Sequence, residues 1–112
     1  MKNSLKKNSD FLRVYDEGNS KANKYLIMYI SKNGLNRNRL GISVSKKVGN
    51  SVVRHHLCRL IRESYRLNNN MFISGLDIVV VVRNSAKDKT YREIESALMH
   101  LSKLHNILNE VE

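Results

Sequence analysis

Ile78-Val79-Val80-Val81-Val82, entered at Asp77 and left at Arg83, is an uninterrupted β-branched run. Side chains alternate across a strand, so a run with no polar alternate must be covered on both faces. Such a segment belongs in the middle of a sheet, and the rest of the chain must supply strands beside it and helices over it. With 112 residues, 41% of them apolar, the chain has material for one domain around one moderate core. It contains no proline and no internal repeat, low-complexity tract or linker that would divide it.

The other elements arrange themselves around that strand. Residues 1–8 read as a flexible basic arm, followed by a short helix capped at Ser9 or Asp10, on which Phe11, Val14 and Tyr15 share a face. Gly18-Asn19-Ser20 breaks the pattern. Tyr25 to Ile30 is a strand covered in part on both faces, and Leu40, Ile42 and Val44 alternate with Arg39, Gly41, Ser43 and Ser45 in another. With Asn33-Gly34-Leu35-Asn36 as the turn between them, these two strands are expected to pair antiparallel. Gly49-Asn50-Ser51 supplies a turn and a cap for a helix from about Ser51 to Leu67. Its wheel sends Val53, Leu57, Leu60, Ser64 and Leu67 to the core and leaves Arg54, Cys58 and Ile61 on one border and His56 on the other. Thr90-x-x-Glu93 is a capping-box pattern opening a last helix with Tyr91, Ile94, Leu98, Leu101, Leu104 and Leu108 at helical spacing. The expected fold is α+β: a two-layer α/β sandwich whose small mixed sheet of about four strands is covered by helices, in the order α-β-β-α-β-α with room for an extra short strand.

Charge says what this fold meets. The net charge of +10 is uneven: residues 1–66 carry +11 and residues 67–112 carry −1. Between Arg39 and Arg66 lie Arg39, Lys46, Lys47, Arg54, Arg59, Arg62 and Arg66 against one carboxylate, Glu63. His55, Arg59, Arg62 and Arg66 fall together on the solvent side of the middle helix, where ordinary exposed faces interleave acids at spacings of four. Stacked like charges suit a polyanion, because neutralising phosphates with Arg and Lys supplies most sequence-independent nucleic-acid affinity. Lys46, Lys47, Asn50 and Ser51 add a corner at the helix N-terminus, where backbone N–H groups favour phosphate; Asn50 and Ser51 serve equally as structural turn residues. Phe11, Tyr15, Tyr25 and Tyr29 place most of the aromatics in the basic half, where rings beside cations can stack unpaired bases or simply pack in the core.

Other chemistries find little support. Cys58 is the sole cysteine, which rules out an internal disulfide and suits a reducing, cytoplasmic setting. The start of the chain is polar and basic with no apolar stretch of signal-peptide type, and Ile78 to Val82 is too short to cross a bilayer, so a soluble protein without a membrane partner is expected. His55 and His56 point to opposite sides, and with Cys58, His100 and His105 they do not make the three or four converging ligands that zinc requires. The acidic residues are scattered rather than clustered as in metal-dependent nucleases, with Asp77 and Glu63 reading as strand-end and ion-pairing residues. No nucleophile-and-base pair, Walker loop or dinucleotide fingerprint is present. No catalytic and no metal-binding residue is expected in the protein itself.

Arg39-Leu40-Gly41-Ile42-Ser43-Val44-Ser45-Lys46-Lys47-Val48-Gly49-Asn50 and the helix Arg54 to Arg62 closely resemble the family of bacterial ribonuclease P protein subunits, as do Leu5-Lys6-Lys7-Asn8-Ser9-Asp10-Phe11 and Gly75-Leu76-Asp77-Ile78-Val79-Val80. The resemblance spans nearly the whole chain. It implies a left-handed crossover through the middle helix, where pattern alone defaults to a right-handed one. It also implies a large catalytic RNA that uses Mg²⁺ to hydrolyse precursor tRNA, releasing the 5′ leader, with the protein assisting and binding no cofactor of its own. By that resemblance Lys46, Lys47, Arg54, Arg59 and Arg62 approach the catalytic RNA, a surface to which spacing along the helix and its N-terminus adds Asn50, His55 and Arg66, and Phe11, Tyr15 and Tyr29 line a leader-binding groove. The chain departs from the family's Arg-Asn-Arg signature at His55, His56 and Cys58, which removes charge at neutral pH and leaves the helix to Arg54, Arg59, Arg62 and Arg66. A structural RNA-binding protein such as a ribosome component is the alternative the basic face leaves open; a self-sufficient nuclease is disfavoured by the missing carboxylate cluster.

Overall fold

The structure, a computed structural model, describes residues 3–109. The chain runs α1 (Asn8–Glu17), β1 (Asn19–Ala22), β2 (Leu26–Lys32), β3 (Arg39–Ser43), α2 (Ser51–Asn68), β4 (Leu76–Val82) and α3 (Tyr91–Leu104). Single 3₁₀ turns follow α2 at Asn69–Met71 and β4 at Asn84–Ala86. The strands form one mixed sheet in the order β1-β2-β4-β3.

The β-branched run lies inside the sheet, as its composition requires. β4 pairs antiparallel with β2, from Leu26↔Val82 to Lys32↔Leu76, and parallel with β3, from Arg39↔Asp77 to Ser43↔Val81. The expected antiparallel pairing of β2 with β3 is therefore wrong. β4 stands between them and takes an edge of each, because a strand this apolar loses least when both its edges and both its faces are covered. The loop after β2 crosses the end of β4 instead of turning back, with the Asn33 N–H donating to Gly75 O at 3.0 Å. β3 reaches its parallel neighbour through α2.

The room left for an extra strand is filled by β1, which pairs antiparallel with β2 where Gly18-Asn19-Ser20 reads as a break. All four of its residues are exposed, so backbone pairing is its main support and no hydrophobic alternation announced it. Of the basic arm expected at 1–8, residues 1 and 2 lie outside the described residues, and the rest is seated. The Leu5 N–H donates to Leu40 O at 3.0 Å, the Leu40 N–H donates to Asn3 O at 2.8 Å, and the Leu5 side chain is buried, so this stretch lines the outer edge of β3.

Alternation along the strands feeds two apolar clusters. Leu26, Met28, Leu40, Ile78, Val80 and Val82 face the layer of α2 and α3, meeting Leu57, Ile61, Ile94, Leu98 and Leu101. Val79 faces the other way and packs with Val14 of α1 and with Leu5, flanked by Phe11, Tyr15, Tyr29 and Val81. At Gly41 a Cβ would stand 2.7 Å from the Phe11 ring, so only glycine lets that ring lie against β3.

α2 begins where expected, with the Asn50 side chain accepting from the Val53 N–H. Its buried side is turned from the expected one: Leu57, Ile61 and Ser64 are buried, Val53 and Leu60 are half-buried, and Leu67 is 55% exposed. Tyr65 meets Phe72 edge-on at 5.1 Å, and that contact draws the buried arc toward Ile61 and away from Leu67. α3 starts with the full Thr90–Glu93 capping box. It ends at Leu104, which stays exposed, and Asn106 two residues on adopts φ 56°, after which Ile107 turns back into the core. Among the described residues no helix is long and apolar enough to cross a membrane.

Candidate nucleic-acid interface

The outward side of α2 carries the cations. His55, Arg59, Arg62 and Arg66 are all exposed, so the stripe expected from spacing exists in three dimensions. Arg66 is partly neutralised: its Nε and Nη2 donate to Glu63 at 3.3 and 2.5 Å. That hydrogen bond raises the Arg66 guanidinium and lowers the Glu63 carboxyl from their ordinary values. Arg54 differs from the others. It is half-buried, and among the described residues its Nε is a buried donor without a hydrogen-bond partner. Cys58 sits one turn from both Arg54 and Arg62, and burial pushes its thiol up even though both arginines pull it down.

Before α2, Lys46 and Lys47 are exposed on a turn closed by the Val48 N–H donating to Ser45 O at 3.1 Å. Val48 is buried and anchors the turn. Asn50 is exposed, but its side-chain oxygen is committed to the helix cap, which supports the structural reading offered for it. Arg39 leaves the cationic group of seven. Its Nε and Nη2 donate to the Asp77 carboxylate at 2.8 and 2.7 Å from the opposing position of the parallel pair.

Phe11, Tyr15 and Tyr29 converge on the other face of the sheet. Tyr15 meets Tyr29 edge-on with ring centres 4.9 Å apart, and Phe11 lies 6.4 Å from Tyr15. All three are half-buried beside Val81, so each packs on the apolar cluster with part of its ring open to solvent. α1 is held over this groove by a charge network that sequence reasoning missed. Arg13 of α1 and Arg39 of β3 both pair with Asp77, which is fully buried, and Asn33 Nδ2 donates to the same carboxylate at 3.0 Å. Burial pushes the Asp77 carboxyl up, but hydrogen bonds from Arg39, Asn33 and Arg13 outweigh it and hold the group below the usual carboxylate range. The signal in the sequence was a carboxylate directly before an apolar run, which needs buried cationic partners.

The two patches are separate, since the groove lies on the α1 face of the sheet and the stripe on the outside of the opposite layer. Between α2 and the seated N-terminal stretch lies a cavity of about 470 Å³, lined in part by Arg62, Tyr65, Arg66, Lys6 and Ile42. Among the described residues no three His, Cys, Asp or Glu side chains come together as a metal site.

A family model described as Ribonuclease P matches residues 1–105. The "Ribonuclease P protein component" of Lachnoclostridium phytofermentans is 63% identical over 112 residues, covering 100% of this chain and 97% of the relative. That of Alkaliphilus oremlandii is 54% identical, covering 96% and 94%. Among solved structures, the Staphylococcus aureus RNase P protein superposes with a TM-score of 0.89 at 40% identity, covering 96% of this chain and 98% of that one. The Thermotoga maritima protein gives 0.83 at 32% identity, covering 89% and 96%. With sequence and fold matched along nearly the whole length, the chain belongs to the ribonuclease P family.

Proposed function

We propose that this chain is the RNA-binding subunit of a bacterial ribonuclease P, assisting removal of the 5′ leader from precursor tRNA. The catalytic RNA is bound by the turn and stripe of Lys46, Lys47, Asn50, Arg54, His55, Arg59, Arg62 and Arg66. The leader is held in the groove of Phe11, Tyr15 and Tyr29, whose half-open rings offer stacking surfaces to unpaired bases. Mg²⁺, carried by the RNA subunit, supplies the activated water and the charge stabilisation of the hydrolysis. The protein's own residues bind and orient; none acts on the scissile phosphate.

One observation carries most of this reading: the exposed guanidinium groups of Arg59 and Arg62 stand on one side of α2, and among the described residues no carboxylate pairs with them. Their mutual repulsion is uncompensated by the described residues, and a phosphate backbone offsets it. The names of the relatives point the same way. The test is reconstitution with a ribonuclease P RNA at low Mg²⁺, with each component also assayed alone. Stimulated cleavage of precursor tRNA is expected for the mixture and none for the protein with Mg²⁺ only. Cleavage by the protein alone would refute the non-catalytic role, and failure to stimulate would favour a purely structural RNA-binding protein.

A further inference from the structure

The uneven charge along the sequence conceals a second basic cluster that only the fold assembles. Lys24 lies in the β1–β2 turn, Arg83 and Lys89 in the segment after β4, and Arg92 in the first turn of α3. They meet around Tyr25. The Lys24 and Lys89 ammonium groups stand 5.6 and 5.4 Å from the centre of the Tyr25 ring. The Arg83 N–H donates to Tyr25 O at 2.9 Å and its Nη1 donates to Asn23 O at 2.9 Å, while Ser85 Oγ donates to Lys24 O.

The ring borders a hollow of about 480 Å³, whose lining includes Asn23, Lys24, Tyr25, Arg92, Ala97 and His100. That size is within the range of small-ligand sites and ample for one nucleobase. The corner is rigid: Asn23 ties the turn to α3 through Ala97 O at 2.9 Å and the His100 ring at 3.1 Å. Glu93 is the one carboxylate in the lining, and its Oε1 is engaged by the Thr90 N–H and hydroxyl. Those Thr90 hydrogen bonds lower the Glu93 carboxyl, and Lys89 and Lys24 lie close enough to lower it further, so a single acid of the lining stands among four cations, and a half-buried ring sits between them. An aromatic ring flanked by cations is the recurring platform for single-stranded nucleic acid, with the base stacked and the flanking phosphates paired.

Resting on the RNA-binding role proposed above, we propose that this corner is a further RNA contact, distinct from the α2 stripe and the α1 groove. It takes one unpaired nucleotide, with its base against Tyr25 and its flanking phosphates on Lys24, Arg83, Lys89 and Arg92. The strand comes either from the substrate's leader or from an unpaired segment of the catalytic RNA.

Three proteins test this: Tyr25→Leu, the double variant Lys24→Gln with Lys89→Gln, and Arg59→Ala with Arg62→Ala for comparison. Each full-length protein is titrated with a labelled oligouridine and with ribonuclease P RNA across a salt series, and assayed in the holoenzyme on precursors with short and long leaders. Tyr25→Leu is expected to weaken binding of at least one RNA about fivefold or more, the lower end of a lost base stack. The lysine variant is expected to flatten the slope of log affinity against log salt by about 1.4 units, the single-strand value for two lost phosphate contacts. A loss confined to long-leader precursors assigns the strand to the substrate, and a loss for the catalytic RNA alone assigns it to the ribozyme. Unchanged affinities and salt slopes in both corner variants, with a lowered melting temperature, would assign the ring and its lysines to stability and overturn the site. If Arg59→Ala with Arg62→Ala is weakened while the corner variants are not, only the corner fails; if all three bind like the parent, the RNA-binding reading fails too.

Discussion

Asp77 shows how much one side chain organises. It is fully buried and accepts from Arg13, Arg39 and Asn33, linking α1, β3 and the loop after β2 at one point. Replacing it with Asn leaves Arg39 without its paired carboxylate and Arg13 with only Glu17 at 3.8 Å, and breaking a buried pair in this way costs about 3 kcal/mol. Because the Asp77 carboxyl is held below its ordinary value, its contribution is fully present above the unfolded carboxylate's pKa of about 4 and is lost as pH falls through the lower folded value. Urea denaturation should therefore show a gap between the parent and Asp77→Asn that is wide near neutrality and closes in strong acid. A gap of equal size at all pH values would mean that the network is not ionic. Gly41 is the complementary case, since the added methyl of Gly41→Ala meets the Phe11 ring and the Leu5 Cβ. A loss of about 1–3 kcal/mol is expected from the overpacking, and a displaced Phe11 ring should show as shifted aromatic resonances.

At the scale of elements, α2 joins the two sides of the protein's chemistry. One side supplies Leu57 and Ile61 to the core, and the other carries the stripe. Arg59→Ala with Arg62→Ala should weaken assembly with the catalytic RNA and flatten its salt dependence by about two units, one per lost phosphate contact. Arg66→Ala should do less, because Glu63 already holds that guanidinium; an effect equal to that of Arg59→Ala would show that the ion pair opens on binding. Spacing made the helix, its cap and its basic stripe legible, since each depends on residues within a few positions of one another. What it mistook was decided by distant partners. Leu67 is exposed because Tyr65 packs on Phe72, and Arg39 is withdrawn from the cationic surface by Asp77. β1 was nearly invisible because it contributes backbone and no buried side chain, and the β2–β3 pairing was misjudged because the strand that separates them comes later in sequence.

Over the whole molecule, the groove and the stripe lie in different layers, and their contributions to substrate binding should be independent. Phe11→Ala with Tyr15→Ala is expected to raise KM for leader-bearing precursors by about tenfold, a modest stacking loss, while leaving affinity for mature tRNA close to the parent. Combined with Arg59→Ala and Arg62→Ala, the free-energy losses should add, as they do for sites without shared partners; a clear departure from additivity in titrations of the combined variant would mean that the two surfaces communicate. Rings and cations were both evident as composition, but their distribution over opposite faces follows from strand order, which no local pattern encodes. That order also bears on biosynthesis. A ribosome that has released only the first seventy residues has released β3 without the strand it pairs with and β2 with nothing better than the exposed β1. Until β4 emerges, the nascent chain has no sheet to close, so translation stalled just upstream of Leu76 should leave a product that proteases clear.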